Sequence, residues 1–315
     1  MLRLTSSTKI DNLTFKGVTS VEVDSSWDNL TDKCTILFPR KLSWKGRDLA
    51  TGSNPILKRK QSVSVNIGYG DKNNEVFNGY VRDVSGEIPV RVECEDAMYL
   101  LKTGEVTRSY RSVSLEALIS DVVGGKVPYK LVVSADLGQF RISKATPAKV
   151  LEYLREHYFI RSWFRGGTLY VGLSIVPELQ REHSLRFDRN EISHNLEFRQ
   201  KEDVSLLLKA VIIQPGNKRE EVEVGDKDGE QRTFHYYNIS ASEAKKRLEA
   251  EADRLIYSGY RGSLTTFGAP FFQHGDLVNL YDPIYPDREG RYLIKRVRTM
   301  FGEGYHQELE IEAKA

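Results

Sequence analysis

Alternation of apolar and polar residues dominates the first hundred positions. Val63, Val65, Ile67 and Tyr69 are separated by polar residues, the period of a strand with one buried face. Gly68 and Gly70 open a polar loop through Val76, Phe77, Gly79 and Val81 resume the alternation, and Ser85-Gly86-Glu87 supplies the next turn. Short strands divided by turn chemistry predict a barrel or sandwich. The last strand is the most regular. Tyr305, Gln307, Leu309, Ile311 and Ala313 fall on one face, and His306, Glu308, Glu310 and Glu312 on the other, which predicts one wet or inter-subunit face.

The middle of the chain changes period. Ser114 caps a helix that runs from Leu115 to a stop at Gly124, with Val113 and Leu118 as a hydrophobic staple. A second helix begins at Thr146-Pro147 and carries Val150, Leu151, Leu154 and Tyr158 on one face. A hairpin from Phe159 to Leu173 turns at Gly166-Gly167. Further on, Val204 to Gln214 reads as an apolar strand ended by Pro215-Gly216-Asn217. Ser240 and Glu243 form a capping box for a helix over 242–258, stopped by Gly259. Its buried stripe is Ala244, Leu248, Ala252, Leu255 and Ile256, and Glu249, Glu251 and Asp253 form its wet face.

The two β-rich ends resemble one another. The segment Ser62–Ala97 and the segment Gly275–Ala313 each read strand, polar loop, strand, hairpin, strand. Tyr80-Val81-Arg82-Asp83-Val84 matches Leu293-Ile294-Lys295-Arg296-Val297 position by position, although the hairpins that follow differ in length. The fold class expected is mainly β with an α+β insertion: two similar β-barrel domains, a small α+β domain between them, and a helix inserted in the second barrel region. The domain boundaries are 1–104, 105–196 and 197–315.

Composition narrows the function. A chain of 315 residues with 40% hydrophobic and 29% charged residues has room for two or three soluble domains. Its net charge of +2 gives no basis for sequence-independent nucleic-acid binding. No apolar run is long enough to span a membrane, and Met1-Leu2-Arg3-Leu4-Thr5 does not open a signal peptide, so synthesis in a host cytoplasm is expected. Cys34 and Cys94 each sit in an alternating strand and read as buried thiols of one core.

Catalytic chemistry is hard to find. The six histidines are scattered, with no zinc spacing, and neither a nucleophile elbow nor a phosphate loop occurs. No cofactor or metal is expected. A glycosidase would need two converging carboxylates, one of them kept protonated by burial. The candidates are Glu93, Glu95 and Asp96, or the row Glu308, Glu310 and Glu312, and exposed alternate glutamates stay ionised instead. Trp27, Trp44 and Trp163 are dispersed and read as packing residues rather than a sugar platform.

Three stretches carry a resemblance to a family: Val76 to Val84 with Val90 to Leu101; Ala148 to Phe159 with Gly167 to Gly172; and Ala252 to Leu280 with Gly290 to Val297. They resemble the baseplate hub proteins of contractile-tailed phages, a group that includes the late control protein D family, Mu-like prophage tail proteins and the N-terminal hub region of type VI secretion spike proteins. The resemblance implies a non-enzymatic structural protein. In that family a homotrimer presents six quasi-equivalent barrels and joins a six-fold tail tube to a three-fold spike. It implies other baseplate proteins as partners, a virion tail or injection apparatus as location, and DNA passing through the channel without specific binding. Since the sequence ends at Ala315, just after the second β unit, a separate spike protein is expected. Arg296, Arg298, Glu308 and Glu310 are the candidate subunit or channel interface residues. The competing reading is a trimeric carbohydrate- or receptor-binding tail module, from which the internal repeat distinguishes a hub.

Overall fold

The β segments at the two ends of the chain meet in one sheet of 13 strands. The computed structural model describes residues 3–39, 43–49, 55–172, 176–214, 218–256 and 258–314. The first unit supplies β1 (Leu4–Ile10), β2 (Ser20–Ser26), β3 (Lys33–Phe38), β4 (Ser62–Tyr69), β5 (Lys72–Val84) and β6 (Val90–Glu95). A short strand, Leu13–Phe15, folds back on β1. The second unit supplies β7 (Glu182–Arg186), β8 (Glu191–Arg199), β9 (Gly259–Phe267), β10 (Leu277–Tyr281), β11 (Gly290–Phe301) and β12 (Tyr305–Lys314).

Spatial order duplicates strand for strand. The first unit runs β1-β4-β5-β6-β3-β2 and the second β7-β10-β11-β12-β9-β8. Each strand of one unit therefore has a counterpart in the other, at the same place and in the same chain order. One pairing differs: β1 is antiparallel to β4, whereas β7 is parallel to β10.

The likeness reaches single hydrogen bonds. Val81 N donates to the Gln61 carbonyl at 2.8 Å, and Lys60 N donates to the Val81 carbonyl at 2.9 Å. At the matching place Ile294 N donates to the Asp276 carbonyl at 3.0 Å, and Gly275 N donates to the Ile294 carbonyl at 2.7 Å. Lys60 and Gly275 are both left-handed, with φ of 75° and 83°. Three residues before each strand-entry bond, Lys58 N donates to the Gln61 side chain at 2.6 Å and Gln273 N to the Asp276 side chain at 2.9 Å. The repeat thus begins upstream of Ser62, at Pro55 and Pro270. Within the matched pentapeptides, a bulge leaves Arg82 unopposed in β5 and Lys295 unopposed in β11.

The units are joined edge to edge. β12 occupies one side of β11 along its length, β10 takes the first half of the other side, and β2 takes the second half. The junction runs from Arg296 opposite Ser26 to Phe301 opposite Val21. Because β2 pairs with β11 instead of returning to β1, strand pairing closes neither unit into a barrel among the described residues. What forms is one open sheet with two cores. Ile10, Val23, Ile36, Val65, Val81 and Val92 fill the first, and Leu264, Phe272, Val278, Ile294, Val297 and Leu309 the second. Cys34 and Cys94 are buried, unbonded and directly opposite one another in the first core.

The middle α+β domain has the expected caps. Ser114 Oγ accepts from Ala117 N at 3.2 Å and starts the helix Leu115–Val123, which ends at Gly124. Thr146 Oγ1 accepts from Lys149 N at 3.3 Å, and Pro147 opens the helix Pro147–Tyr153. That helix widens into a π turn over Leu154–Tyr158 before the hairpin Arg161–Arg165 and Thr168–Gly172.

A second small body interrupts the second unit. Strands Leu206–Gln214, Lys218–Gly225 and Glu230–Tyr237 form a separate sheet, with the first between the other two. The helix Ala241–Leu255 packs on it through Ala244, Leu248 and Leu255, and Ser240 Oγ caps it by accepting from Glu243 N at 3.2 Å. The helix stops short of 258, and Gly259 opens β9 instead of ending it. The boundary expected at 196/197 falls inside β8, which pairs with β9 across this insertion. The expected stop at Pro215-Gly216-Asn217, the end of the hairpin at Leu173, and the side chains of Trp44, Asp253, Glu312 and Ala313 lie outside the described positions.

Candidate functional site

Arg296, Arg298, Glu308 and Glu310 come together on the polar face of the sheet at the junction. Arg296 lies opposite Glu310 and Arg298 opposite Glu308 on adjacent strands, while Val297, Thr299 and Leu309 between them point into the core. On the junction side, Arg296 donates from Nε to Asp24 Oδ1 at 2.8 Å and Arg298 from Nε to Glu22 Oε1 at 2.7 Å. The hydrogen bond it donates to Asp24 holds the Arg296 guanidinium charged more firmly than usual. One row of register partners runs Asp24, Arg298, Glu308, Thr265, Ser193 across five strands and both units. Glu22, Asp24, Glu308 and Glu310 set four carboxylates against Arg296, Arg298, Lys295, which bridges Glu310, and Lys33, which lies opposite Asp24, so the charges of this face balance. Exposed pairs of this kind contribute about 0.2–1 kcal/mol each.

The two bulged cations face a common cleft. A bulge turns its residue out of the ladder, and Arg82 and Lys295 both line a cleft of about 950 Å³ between the units and the helix that follows Thr146. Lys295 bridges Asp28 at 3.2 Å and Glu310 at 3.5 Å. Lys102 bridges Glu95 at 2.6 Å. From the middle domain, Arg155 donates to the Asp28 carbonyl at 3.1 Å and Arg161 bridges the Asp28 side chain at 3.0 Å. Asp28 is therefore the common anchor of three parts of the chain.

Beneath the opposite side lies a buried polar knot. The hairpin tip of the middle domain carries Arg165 between Asp32 and Asp96 of the first unit and Gln273 and His274 of the second, around a cavity of about 90 Å³. Arg165 Nη2 donates to the His274 carbonyl. Asp96 accepts from Asp32 N and from Met98 N, both at 2.9 Å, and Asp32 accepts from Ser25 Oγ at 2.5 Å. Burial pushes the Asp32 carboxyl up to about 7. Burial, with the charge of Asp32 beside it, carries Asp96 well above the usual carboxylate range. Burial also lowers the His274 imidazole to about 3, so that ring is neutral at physiological pH. Trp27 and Trp163 pack beside this knot with Tyr170, Leu277 and Leu293, a cluster in which the sequence showed only dispersed rings.

No family model matches the sequence, and no curated protein matches it. Solved structures do. The tail protein from Neisseria meningitidis MC58 superposes with a TM-score of 0.65 at 15% identity, covering 98% of this chain and 96% of that one. The 43 kDa tail protein of prophage MuSo2 from Shewanella oneidensis gives 0.63 at 17% identity, with 98% and 97% covered. The chain shares the fold of these two tail proteins. The same fold extends to the E. coli c3393 protein, a component of the type VI secretion system with structural similarity to bacteriophage T4 tail proteins, at a TM-score of 0.58, 10% identity and coverage of 98% and 77%.

Within the tail-protein fold, the carboxylates considered as an acid pair have structural partners. Glu93 bridges Arg91 at 3.3 Å and also Arg82, Glu95 holds Lys102, and Asp96 receives the backbone at the start of the short helix Met98–Leu101. Glu308 and Glu310 lie on the exposed polar face. Among the described residues, no three His, Cys, Asp or Glu side chains converge to hold a metal ion, and no helix is long and apolar enough to cross a membrane. Sequence reasoning missed Asp32, Arg165 and His274. Their only signal was position: Asp32 and His274 lie in connections of the two units, and Arg165 ends the first strand of the hairpin that reaches both.

Proposed function

We propose that this chain is a non-enzymatic structural hub of a contractile phage tail or a phage-like injection system. Three copies form a ring with pseudo-six-fold symmetry, which stacks on the tail tube on one side and seats the spike on the other, among further baseplate proteins. The observation that carries this reading is the strand-for-strand duplication of the two β units. A three-fold assembly that must meet a six-fold tube needs two similar surfaces per chain, and closed rings are built from such repeated heterologous contacts. The two units in this reading act as the barrel-like modules of the ring. The polar face bearing Arg296, Arg298, Glu308 and Glu310 lines its channel or a subunit contact. A face whose carboxylates and cations balance holds no excess positive charge to grip a duplex passing along it, which fits transit without binding.

The test is the mass in solution, by light scattering coupled to size exclusion, with negative-stain imaging. The expected species has three times the 36.0 kDa of one chain and an axial pore. A monomer that persists at high concentration refutes the reading.

A further inference from the structure

The duplication makes the junction between the units a template, and the chain uses it only once. In the first unit the terminal strand β2 is covered on its outer side by the second half of β11. Its counterpart in the second unit, β8, is the last strand of the sheet: β9 lies on one side and no strand on the other among the described residues. Burial follows this difference. Val21 and Val23 of β2 are buried, whereas of their counterparts in β8 His194 is exposed and Leu196 is half-buried. The other half of the template is vacant too. On β11 the edge beyond Ile294 receives β2, but on β5 the matching edge beyond Val81 receives no strand among the described residues, since β4 ends its pairing at Tyr80 and the Lys60–Gln61 turn bonds Val81 itself.

We infer that the outer edge of β8 is the seat for the Asp83–Ser85 edge of a second copy of this chain, in the antiparallel register that β2 and β11 already adopt. The inference rests on the hub reading for the number of copies, though not for the identity of the edges. A chain that presents both halves of one head-to-tail contact at opposite places can satisfy them only with another copy, in a ring or a filament. An unpaired strand edge is a ready template for such pairing.

The template fixes the register. Arg296 lies opposite Ser26 and Arg298 opposite Asp24. Carried through the repeat, this places Asp83 opposite Arg199 of the other copy and Ser85 opposite Glu197. The charges suit this placement. Asp83 is bridged by Arg59 at 2.7 Å, Arg199 is bridged by Glu197 at 3.0 Å, and all four side chains are more than 40% exposed. Bringing the pairs together sets Asp83 against Arg199 and leaves Arg59 free to meet Glu197, a reciprocal exchange of partners. Charged edges of this kind also discourage pairing with unrelated strands.

The test is directed cross-linking of the full chain. Ser85→Cys with Glu197→Cys is oxidised mildly, beside each single variant and beside Asp24→Cys with Arg298→Cys, the same pair of positions within the existing junction. The expected result is covalent multimers from the first pair, none from the single variants, and an internal bond without multimers from the second pair. As a second measurement, Arg199→Glu weakens self-association by about tenfold or more, and adding Asp83→Arg restores it. Multimers of three uphold both the edge and the hub reading. Multimers closed at another number uphold the edge and overturn the three-fold hub. A trimer by light scattering that gives no cross-link, and that Arg199→Glu leaves intact, overturns the edge while the hub reading stands. A monomer throughout overturns both.

Discussion

Replacing Asp32 by asparagine should change how the protein's stability depends on pH, in a direction opposite to that of ordinary surface carboxylates. Asp32 titrates near pH 7 in the folded chain against 3.8 for an unperturbed aspartate, mainly through burial. Between those values the folded state holds a proton that the unfolded state has lost, so stability falls as pH rises and the loss is complete above the folded pKa. For one such group, integration from pH 5 to pH 7 gives a loss of about 2 kcal/mol. Asp96, raised in the same direction, adds to it. The salt-bridged carboxylates Asp83, Asp121 and Asp188 are lowered and act only at more acidic pH, in both proteins alike. The assay is urea unfolding at pH 5, 6 and 7 followed by tryptophan fluorescence, because Trp27 and Trp163 pack beside the knot. Asp32→Asn should show a shallower fall than wild type, the stability difference shifting by about 2 kcal/mol in the variant's favour from pH 5 to pH 7. Parallel curves, or a wild type that gains stability over this interval relative to the variant, would refute the reasoning.

Other substitutions test the repeat and the junction. Gly275→Ala at φ 83° should destabilise by about 1–2 kcal/mol, whereas Lys60→Gly at the matching φ of 75° should stabilise by about 0.5–1 kcal/mol, both read from denaturant midpoints. Ile294→Ala, at a fully buried site beside the bulge, should cost about 2–5 kcal/mol by the same measurement. Arg298→Ala removes an exposed pair with Glu22 and should lower stability by less than about 1 kcal/mol; a loss of several would mean that the polar face holds the units together.

Local signals were legible in the sequence, and long-range ones were not. Ser114, Thr146-Pro147 and Ser240 sit at helix starts because capping depends on neighbours within a turn. The alternation of Tyr305 to Ile311 matches the buried and half-buried faces of β12, since one face of that strand meets a core. The matched pentapeptides even placed Arg82 and Lys295 at equivalent positions, though nothing in their spacing shows that both are bulged. The pairing of β2 with β11 joins residues about 270 apart, as Ser26 and Lys295 are. No periodicity specifies which edge a strand finds. Strands Lys218–Gly225 and Glu230–Tyr237 escaped notice because the first is mostly exposed and the second no more than half-buried, so neither shows a clear apolar face. Asp32 lies in Thr31-Asp32-Lys33, which reads as a wet turn until Asp96 and Arg165 close over it.

The small sheet and helix inserted between β8 and β9 bear on the order of folding. Their neighbours are adjacent in space: β8 and β9 pair from Glu191 opposite Thr266 to Arg199 opposite Gly259, and Lys201 N donates to Ser258 Oγ at 2.9 Å where the insertion departs and returns. As loose chain, that segment would have to be gathered before β8 could find β9, and closing a long loop is entropically slow. Once folded on its own core, it presents its two ends side by side and converts a distant pairing into a local one. The insertion is then a clasp, folded on its own core, that holds the outermost strand of the sheet beside its neighbour.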